Sequence, residues 1–278
     1  VVRMRREVDQ ATLMPTELVE EMTRLSSEAR TIWAQSREQS DFSKFAPTLE
    51  KIIQLTKKKM KYLGGENPSY DVLLDEYEMG MKMSDYDPLF SGLRERLVPL
   101  LQKIMAAREN ETKIEIPEGM EFPIPEQEKF CKEVAARMGF DFDGGRLDIT
   151  THPFCSGIWA GDTRITTRYD SLDPFSCLYA VMHEAGHGLY EQGLPTSSQF
   201  APRGKAISLG VHESQSRLWE NQVGRTNEFW QVVLESFRNH FPEFPLDIGP
   251  EELNKIANSV EPSFIRVEAD EITYNMHI

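Results

Sequence analysis

Two histidines and a glutamate within five residues are the part of this sequence best suited to chemistry. They lie in the segment His183-Glu184-Ala-Gly-His187, inside a run whose composition suits a helix. Residues four apart on a helix share a face, so both imidazoles can bind one Zn²⁺ ion. Glu184 would lie beside them and accept a proton from water activated by the metal. The spacing predicts a hydrolytic metal site, and its alternative is a surface helix with two unrelated histidines.

The surroundings of this pair favour the metal site. The chain has six histidines in all, and two of them flank a glutamate at this spacing. Apolar neighbours predict that the helix is buried, where an imidazole needs a polar partner. These neighbours are Leu178, Val181, Met182 and Leu189.

A catalytic zinc ion takes three protein ligands and leaves one position for water. The next helical segment, residues 210–220, offers Glu213 as the third ligand, with His212 and Glu220 as its competitors. A carboxylate facing a core is costly unless it binds a metal or a partner. The alternative for Glu213 is a solvated position on the helix surface.

Composition excludes several classes of protein. The 278 residues are 40% hydrophobic and 27% charged, which is typical of a globular protein, and we expect a single domain over residues 1–278. A net charge of −14 argues against nucleic-acid and anionic-membrane partners. The three cysteines are widely spaced and predict no disulfide framework, and no apolar run reaches the roughly 20 residues of a membrane span. We therefore expect a cytoplasmic protein.

Helical periodicity covers most of the chain, and one short region departs from it. The predicted helices are 7–35, 48–63, 85–108, 126–138, 175–192, 207–223, 226–240, 250–258 and 262–278. Residues 146–154 and 161–169 are rich in β-branched residues and alternate in polarity, which predicts two strands joined by a turn. The expected fold class is mainly α, with a small antiparallel β-sheet (146–169) inserted beside the metal-binding helix.

Five short signatures in one order and spacing resemble those of the carboxypeptidase Taq family of metallocarboxypeptidases. They are His152-Pro-Phe154, Asp162-Thr-Arg-Ile-Thr166, His183-Glu-Ala-Gly-His187, His212-Glu-Ser-Gln215 and Ile265-Arg-Val-Glu-Ala-Asp270. The resemblance runs from about residue 70 to the C-terminus and implies a helical zinc-peptidase architecture. It also implies that His183, His187 and Glu213 hold the metal, with Zn²⁺ or Co²⁺ as the usual ion.

The activity that this resemblance implies is hydrolysis of the C-terminal bond of a peptide, which releases one free amino acid. Glu184 would serve as general base. Recognition of the free carboxylate suits arginine, whose planar fork bonds both oxygens. Arg266 is the favoured residue by resemblance, and Arg164 and His152 are the other substrate-binding candidates. The family also implies a homodimer.

Each of these three candidates has a structural alternative. Arg266 can pair with Asp270 four residues further on, and Arg164 can pair with Asp162 or Asp148 across the sheet. The third candidate, the histidine before Pro153, can instead close the end of a strand.

Two other functions compete with the carboxypeptidase. One is a zinc endopeptidase or oligopeptidase of related helical fold, and the other is an inactive metal-binding fragment. The chain begins Val1-Val2 without an initiator methionine and stops inside a predicted helix. The later Gly-x-x-Gln-Asp-x-His-Trp signature of the family is missing from it. We therefore expect a chain that is incomplete at both ends, with a whole metal site and part of a substrate cleft.

Overall fold

The computed structural model describes residues 2–108, 114, 116–159, 161–261 and 270–274. The chain divides into two compact units, Val1–Tyr86 and Asp87–Ile278. Most described residues are helical, and one three-stranded sheet is present among them. The predicted fold class, mainly α with a small sheet beside the metal-binding helix, is confirmed. No described helix is both long and apolar enough to cross a membrane.

The first unit consists of four helices. They are α1 (Val2–Leu13), α2 (Thr16–Glu38), α3 (Phe42–Gly64) and α4 (Asp71–Tyr77). The predicted helix 7–35 is divided in two, since Pro15 cannot donate the backbone hydrogen bond that would continue α1. After a short connection, the carboxylate of Asp41 accepts a hydrogen bond from the Ser43 amide and begins α3. Helices α2 and α3 then pack against each other, and their buried side chains include Leu18, Ala29 and Leu55.

The second unit contains the remaining elements. Its helices are α5 (Met83–Arg108, which begins before the boundary), α6 (Ile124–Met138), α7 (Pro174–Gln192), α8 (Leu209–Arg217), α9 (Asn227–His240), α10 (Pro250–Ala257) and α11 (Glu271–Tyr274). The backbone continues directly from α8 into a π-helical segment, Leu218–Val223. Of the predicted helix 262–278, residues 262–269 and 275–278 lie outside the described residues.

Helix α7 lies between two apolar clusters, which explains why its sequence is apolar almost all round. One cluster is aromatic, centres on Trp230 and Phe237 of α9, and receives Leu178 and Met182 from α7. The other lies towards the sheet. Its members are Cys131, Ala135, Phe140, Leu147, Ile165, Cys177, Val181 and Ala185. The helix that carries both histidines of the predicted site is therefore fixed from two sides.

The sheet differs from the prediction in its pairing. Its strands are β1 (Gly145–Ile149), β2 (Cys155–Trp159) and β3 (Asp162–Thr167), in the order β1-β3-β2. Strand β1 is parallel to β3, and only β2 is antiparallel to it, so the expectation of a wholly antiparallel sheet was wrong. The residues taken for a turn form β2, because Pro153 interrupts the ladder and separates β2 from β1. Strand β3 is the central strand and packs on α7, whereas β2 forms one edge of the sheet.

Candidate metal centre and active site

The position of the site follows from the close approach of α7 and α8. Asp173 caps α7 by accepting hydrogen bonds from the amides of Phe175 and Ser176, at 3.0 and 3.1 Å. Further along α7, a Cβ on Gly186 would lie 2.6 Å from the Cα of Ser216 and 2.8 Å from the carbonyl oxygen of Gln215. Only glycine allows the two helices to lie this close.

This approach brings the three predicted ligands together. Ligand atoms of His183, His187 and Glu213 all lie within 4.8 Å of one another. The Oε2 atom of Glu213 is 3.0 Å from Nε2 of His187 and 3.7 Å from Nε2 of His183. In the described part of the chain, this is the one group of three or more such side chains that could hold a metal ion. Two imidazole nitrogens and one carboxylate oxygen are a donor set that suits a catalytic divalent ion.

The two competitors for the third ligand lie behind the histidines. The Oε2 atom of Glu220 is 2.8 Å from Nδ1 of His183, and Nδ1 of His212 is 2.5 Å from Nδ1 of His187. Each competitor thus contacts the ring nitrogen that faces away from Glu213. Neither belongs to the described group of side chains whose ligand atoms lie within 4.8 Å of one another.

A chain of hydrogen bonds continues from His212 to the end of α7. Its Nε2 atom is 2.8 Å from Oε1 of Glu191. The carboxylate of Glu191 also occupies the space beside Gly157 of β2, where a Cβ would overlap its oxygen. The His187 ring is thereby connected through His212 to a carboxylate that packs on the edge strand.

The two carboxylates nearest the histidines differ in their affinity for a proton. Glu184 is only 7% exposed, and burial raises its pKa to about 7, with the charge of His183 opposing the shift. Burial also raises the pKa of Glu213, but its hydrogen bond to His187 and the charges of both histidines outweigh burial and lower that pKa to about 2. Glu213 is therefore anionic at neutral pH, while Glu184 exchanges a proton near neutrality.

The predicted substrate-binding residues have different surroundings. Arg164 donates from Nε and Nη2 to the two carboxylate oxygens of Asp162, both at 3.0 Å, so its planar fork is already paired. Asp148 pairs with Arg146 instead, at 2.5 Å. His152 is exposed between β1 and β2, with Nδ1 2.7 Å from the carbonyl oxygen of Pro153. The pair of Arg164 with Asp162 is the contact that its structural alternative describes.

The favoured candidate for carboxylate binding, Arg266, lies outside the described residues. Its alternative partner, Asp270, caps α11 by accepting hydrogen bonds from the amides of Ile272 and Thr273, at 2.8 and 3.0 Å. The remaining oxygen of Asp270 accepts from the Thr273 hydroxyl at 2.7 Å.

Three residues near the site were missed by the sequence analysis. Tyr274 donates its hydroxyl to Oε1 of Glu213 at 3.3 Å, and Ser216 donates to Oε2 at 3.3 Å. Glu191, the third, could have been found from its position one helical turn after His187. Tyr274 carries no such signal, because it reaches the site from another element.

Comparison with known proteins gives a consistent picture. The model of the family described as carboxypeptidase Taq (M32) metallopeptidase matches residues 1–278. "Thermostable carboxypeptidase 1" of Thermus thermophilus is 42% identical over 99% of this chain and 55% of its own length. "Carboxypeptidase 1" of Bacillus subtilis is 36% identical over 99% and 54%.

A solved structure, the M32 carboxypeptidase of Deinococcus radiodurans, has a TM-score of 0.87 and 38% identity over 98% of this chain and 54% of that one. The chain thus spans about half the length of the curated relatives that it matches. The match over its whole length shows that the chain belongs to the carboxypeptidase Taq (M32) metallopeptidase family.

Proposed function

We propose that this protein is a metallocarboxypeptidase that releases the C-terminal amino acid of a peptide. The observation that carries the proposal is the convergence of His183, His187 and Glu213 beside a buried Glu184. Membership of a metallopeptidase family and the names of the two relatives support it. The three ligands hold Zn²⁺, with Co²⁺ as the alternative ion.

A divalent ion held by His183, His187 and Glu213 would lower the pKa of water and polarise the scissile carbonyl. The chain contributes the proton transfer. Ionised Glu184 accepts a proton from the attacking water and then passes it to the amine that leaves. A pKa near neutrality suits both steps, because the same carboxyl group must take up and release one proton in each cycle.

The edge strand supports binding of an extended peptide. Strand β2 lies at the edge of the sheet, and its residues Ile158 and Trp159 are exposed. A peptide that adds to such an edge is bound by main-chain hydrogen bonds, and its side chains determine the specificity. The free α-carboxylate is bound by Arg266, with Arg164 and His152 as further substrate-binding candidates. Because Arg164 is paired with Asp162, it must release this carboxylate before it can bind the carboxylate of a substrate.

Two alternatives remain. An endopeptidase or oligopeptidase needs no residue that binds a terminal carboxylate. The pairing of Arg164 with Asp162 is compatible with such an activity. An inactive metal-binding module needs no proton acceptor, so the buried Glu184 argues against it. The described residues around the three ligands also provide no fourth protein ligand of the kind that structural zinc sites have.

The cellular setting is inferred from the cysteines and from the charge of the chain. Cys131, Cys155 and Cys177 are all free thiols, which suits the reducing cytoplasm. The resemblance to the family favours a homodimer. Peptides are the expected partners, while the acidic composition argues against nucleic acid.

Cleavage of matched peptides tests the proposal. The zinc-loaded chain should release arginine from N-acylated Ala-Arg and should not cleave the C-amidated form, because amidation removes the carboxylate. Equal cleavage of both forms, or cleavage at internal bonds of a longer peptide, would favour the endopeptidase. The chelator-treated chain is the negative control for both substrates.

A further inference from the structure

We infer that Glu220 is a positioning residue that orients the ligand His183, so that Nε2 of this histidine faces the metal. The inference rests on the proposed metal site. The contacts of Glu220 point to this role and not to that of a third ligand.

The geometry at His183 fixes the direction of the ring. Its Nδ1 atom is 2.8 Å from Oε2 of Glu220, while Nε2 faces the carboxylate of Glu213. A neutral imidazole that binds a metal through Nε2 must carry its proton on Nδ1. A carboxylate at Nδ1 accepts that proton in a hydrogen bond and disfavours both the flipped ring and the other tautomer.

Glu220 is itself held in place from the other side. Its Oε2 atom accepts a hydrogen bond from Nη1 of Arg217 at 2.7 Å, and Arg225 lies 3.9 Å from Oε1. The guanidinium of Arg217 lies 4.0 Å from the centre of the Tyr274 ring, and that of Arg225 lies 4.4 Å from the centre of the Tyr179 ring. The carboxylate is thus fixed by two cations that are each packed on an aromatic ring.

The charges that surround Glu220 agree with an anionic acceptor, because the guanidinium groups of Arg217 and Arg225 both face its carboxylate. The residue lies in the π-helical segment that follows α8, and such segments are often found at functional sites. Glu213 and Glu220 therefore approach the same histidine from one continuous stretch of chain, at its two different nitrogens.

The alternative is that Glu220 only neutralises Arg217 and Arg225. The chain offers a matched control for this, because Glu133 of α6 makes a comparable contact with a histidine that is not a ligand. Its Oε2 atom is 3.3 Å from Nε2 of His240. If the loss of any glutamate that pairs with a histidine weakened zinc binding, the substitutions of Glu220 and of Glu133 would weaken it equally.

The test is the dissociation constant for Zn²⁺, measured by competition with a chromophoric chelator, together with the melting temperature of the metal-free chain. We expect zinc binding to weaken by about 10-fold in Glu220→Gln and by about 10- to 100-fold in Glu220→Ala, the range seen when outer partners of ligands are removed. Glu133→Gln should leave the constant unchanged. Glu220→Gln is isosteric and gives the answer if the alanine variant does not fold.

Each outcome decides the inference. Zinc affinity of Glu220→Gln equal to that of the unmodified chain would overturn it and leave the proposed function intact. An equal loss in Glu133→Gln would overturn it too, since the effect would not be specific to the ligand. An unmodified chain that binds no zinc would contradict the proposed function itself, and the inference with it.

Discussion

At the scale of single residues, the site gives two glutamates different affinities for a proton. Burial raises the pKa of both, yet only Glu184 stays raised, at about 7, whereas Glu213 falls to about 2 because the histidines contact it. A carboxylate that binds a metal must be ionised, and a proton carrier must titrate near the working pH. The neighbours of each carboxylate therefore match the role that its place in the sequence predicts.

The first prediction concerns the pH dependence of catalysis. The pKa of Glu184 is raised, so its basic form is lost as the pH falls through about 7, and a bound cation would move this loss to lower pH. We expect kcat/KM to fall about 10-fold per pH unit on the acidic side of this pKa when metal is saturating. A rate that stays constant from about pH 7 to about pH 4 would contradict the assignment of Glu184 as base. Metal content measured in the same buffers controls for loss of the ion.

At the scale of elements, the contact between α7 and α8 sets the distance between the ligands. The histidines lie on α7 and Glu213 on α8, and Gly186 is where the two helices meet. The atoms beside Gly186 belong to backbone, which cannot move aside as a flexible side chain can.

We therefore expect Gly186→Ala to destabilise the protein by about 1–3 kcal/mol and to weaken metal binding, because the added methyl group pushes α8 and its Glu213 away. Gly92 in α5 is the matched control, since a Cβ there meets nothing within 4 Å. The same substitution at Gly92 should stabilise the helix by up to about 1 kcal/mol. Urea unfolding and zinc titration of both variants measure the two effects. Equal effects at both glycines would show that the contact of α7 with α8 does not control the site.

Elements also show how far the sequence could predict the structure. Helix α7 and its two histidines were predictable because their spacing is local, and the place of Glu213 beside them was predictable from its resemblance to a family motif. The sheet pairing was not, because Gly157 made β2 resemble a turn and no local signal shows that β1 runs parallel to β3. The supporting contacts of Glu220 and Tyr274 depend on elements that meet only in the folded chain.

At the scale of the whole molecule, we expect metal binding and folding to be coupled. The predicted ligands come from two helices, so the complete site exists only when the second unit is folded. An ion that binds only the folded chain stabilises it by about 2.7 kcal/mol at 100 times its dissociation constant.

We expect saturating Zn²⁺ to raise the melting temperature of the metal-free chain by about 5–10 °C. The gain should shrink as the pH falls, because a ligand histidine must be neutral to bind metal. Despite the opposing effect of burial, Glu220 holds the pKa of His183 above its ordinary value. Calorimetry with and without zinc measures this shift, and Glu213→Ala is the control that should abolish it. A shift of equal size in that variant would place the bound ion elsewhere.

The most direct test of the central claim compares the unmodified chain with Glu184→Gln for metal content and for release of arginine from N-acylated Ala-Arg. Glutamine keeps the shape of glutamate but cannot carry a proton between water and the leaving amine. We expect one bound Zn²⁺ per chain in both proteins and arginine release by the unmodified chain alone, with a loss of at least about 100-fold in the variant. Substantial release by Glu184→Gln, or no stoichiometric metal in either protein, would contradict this claim.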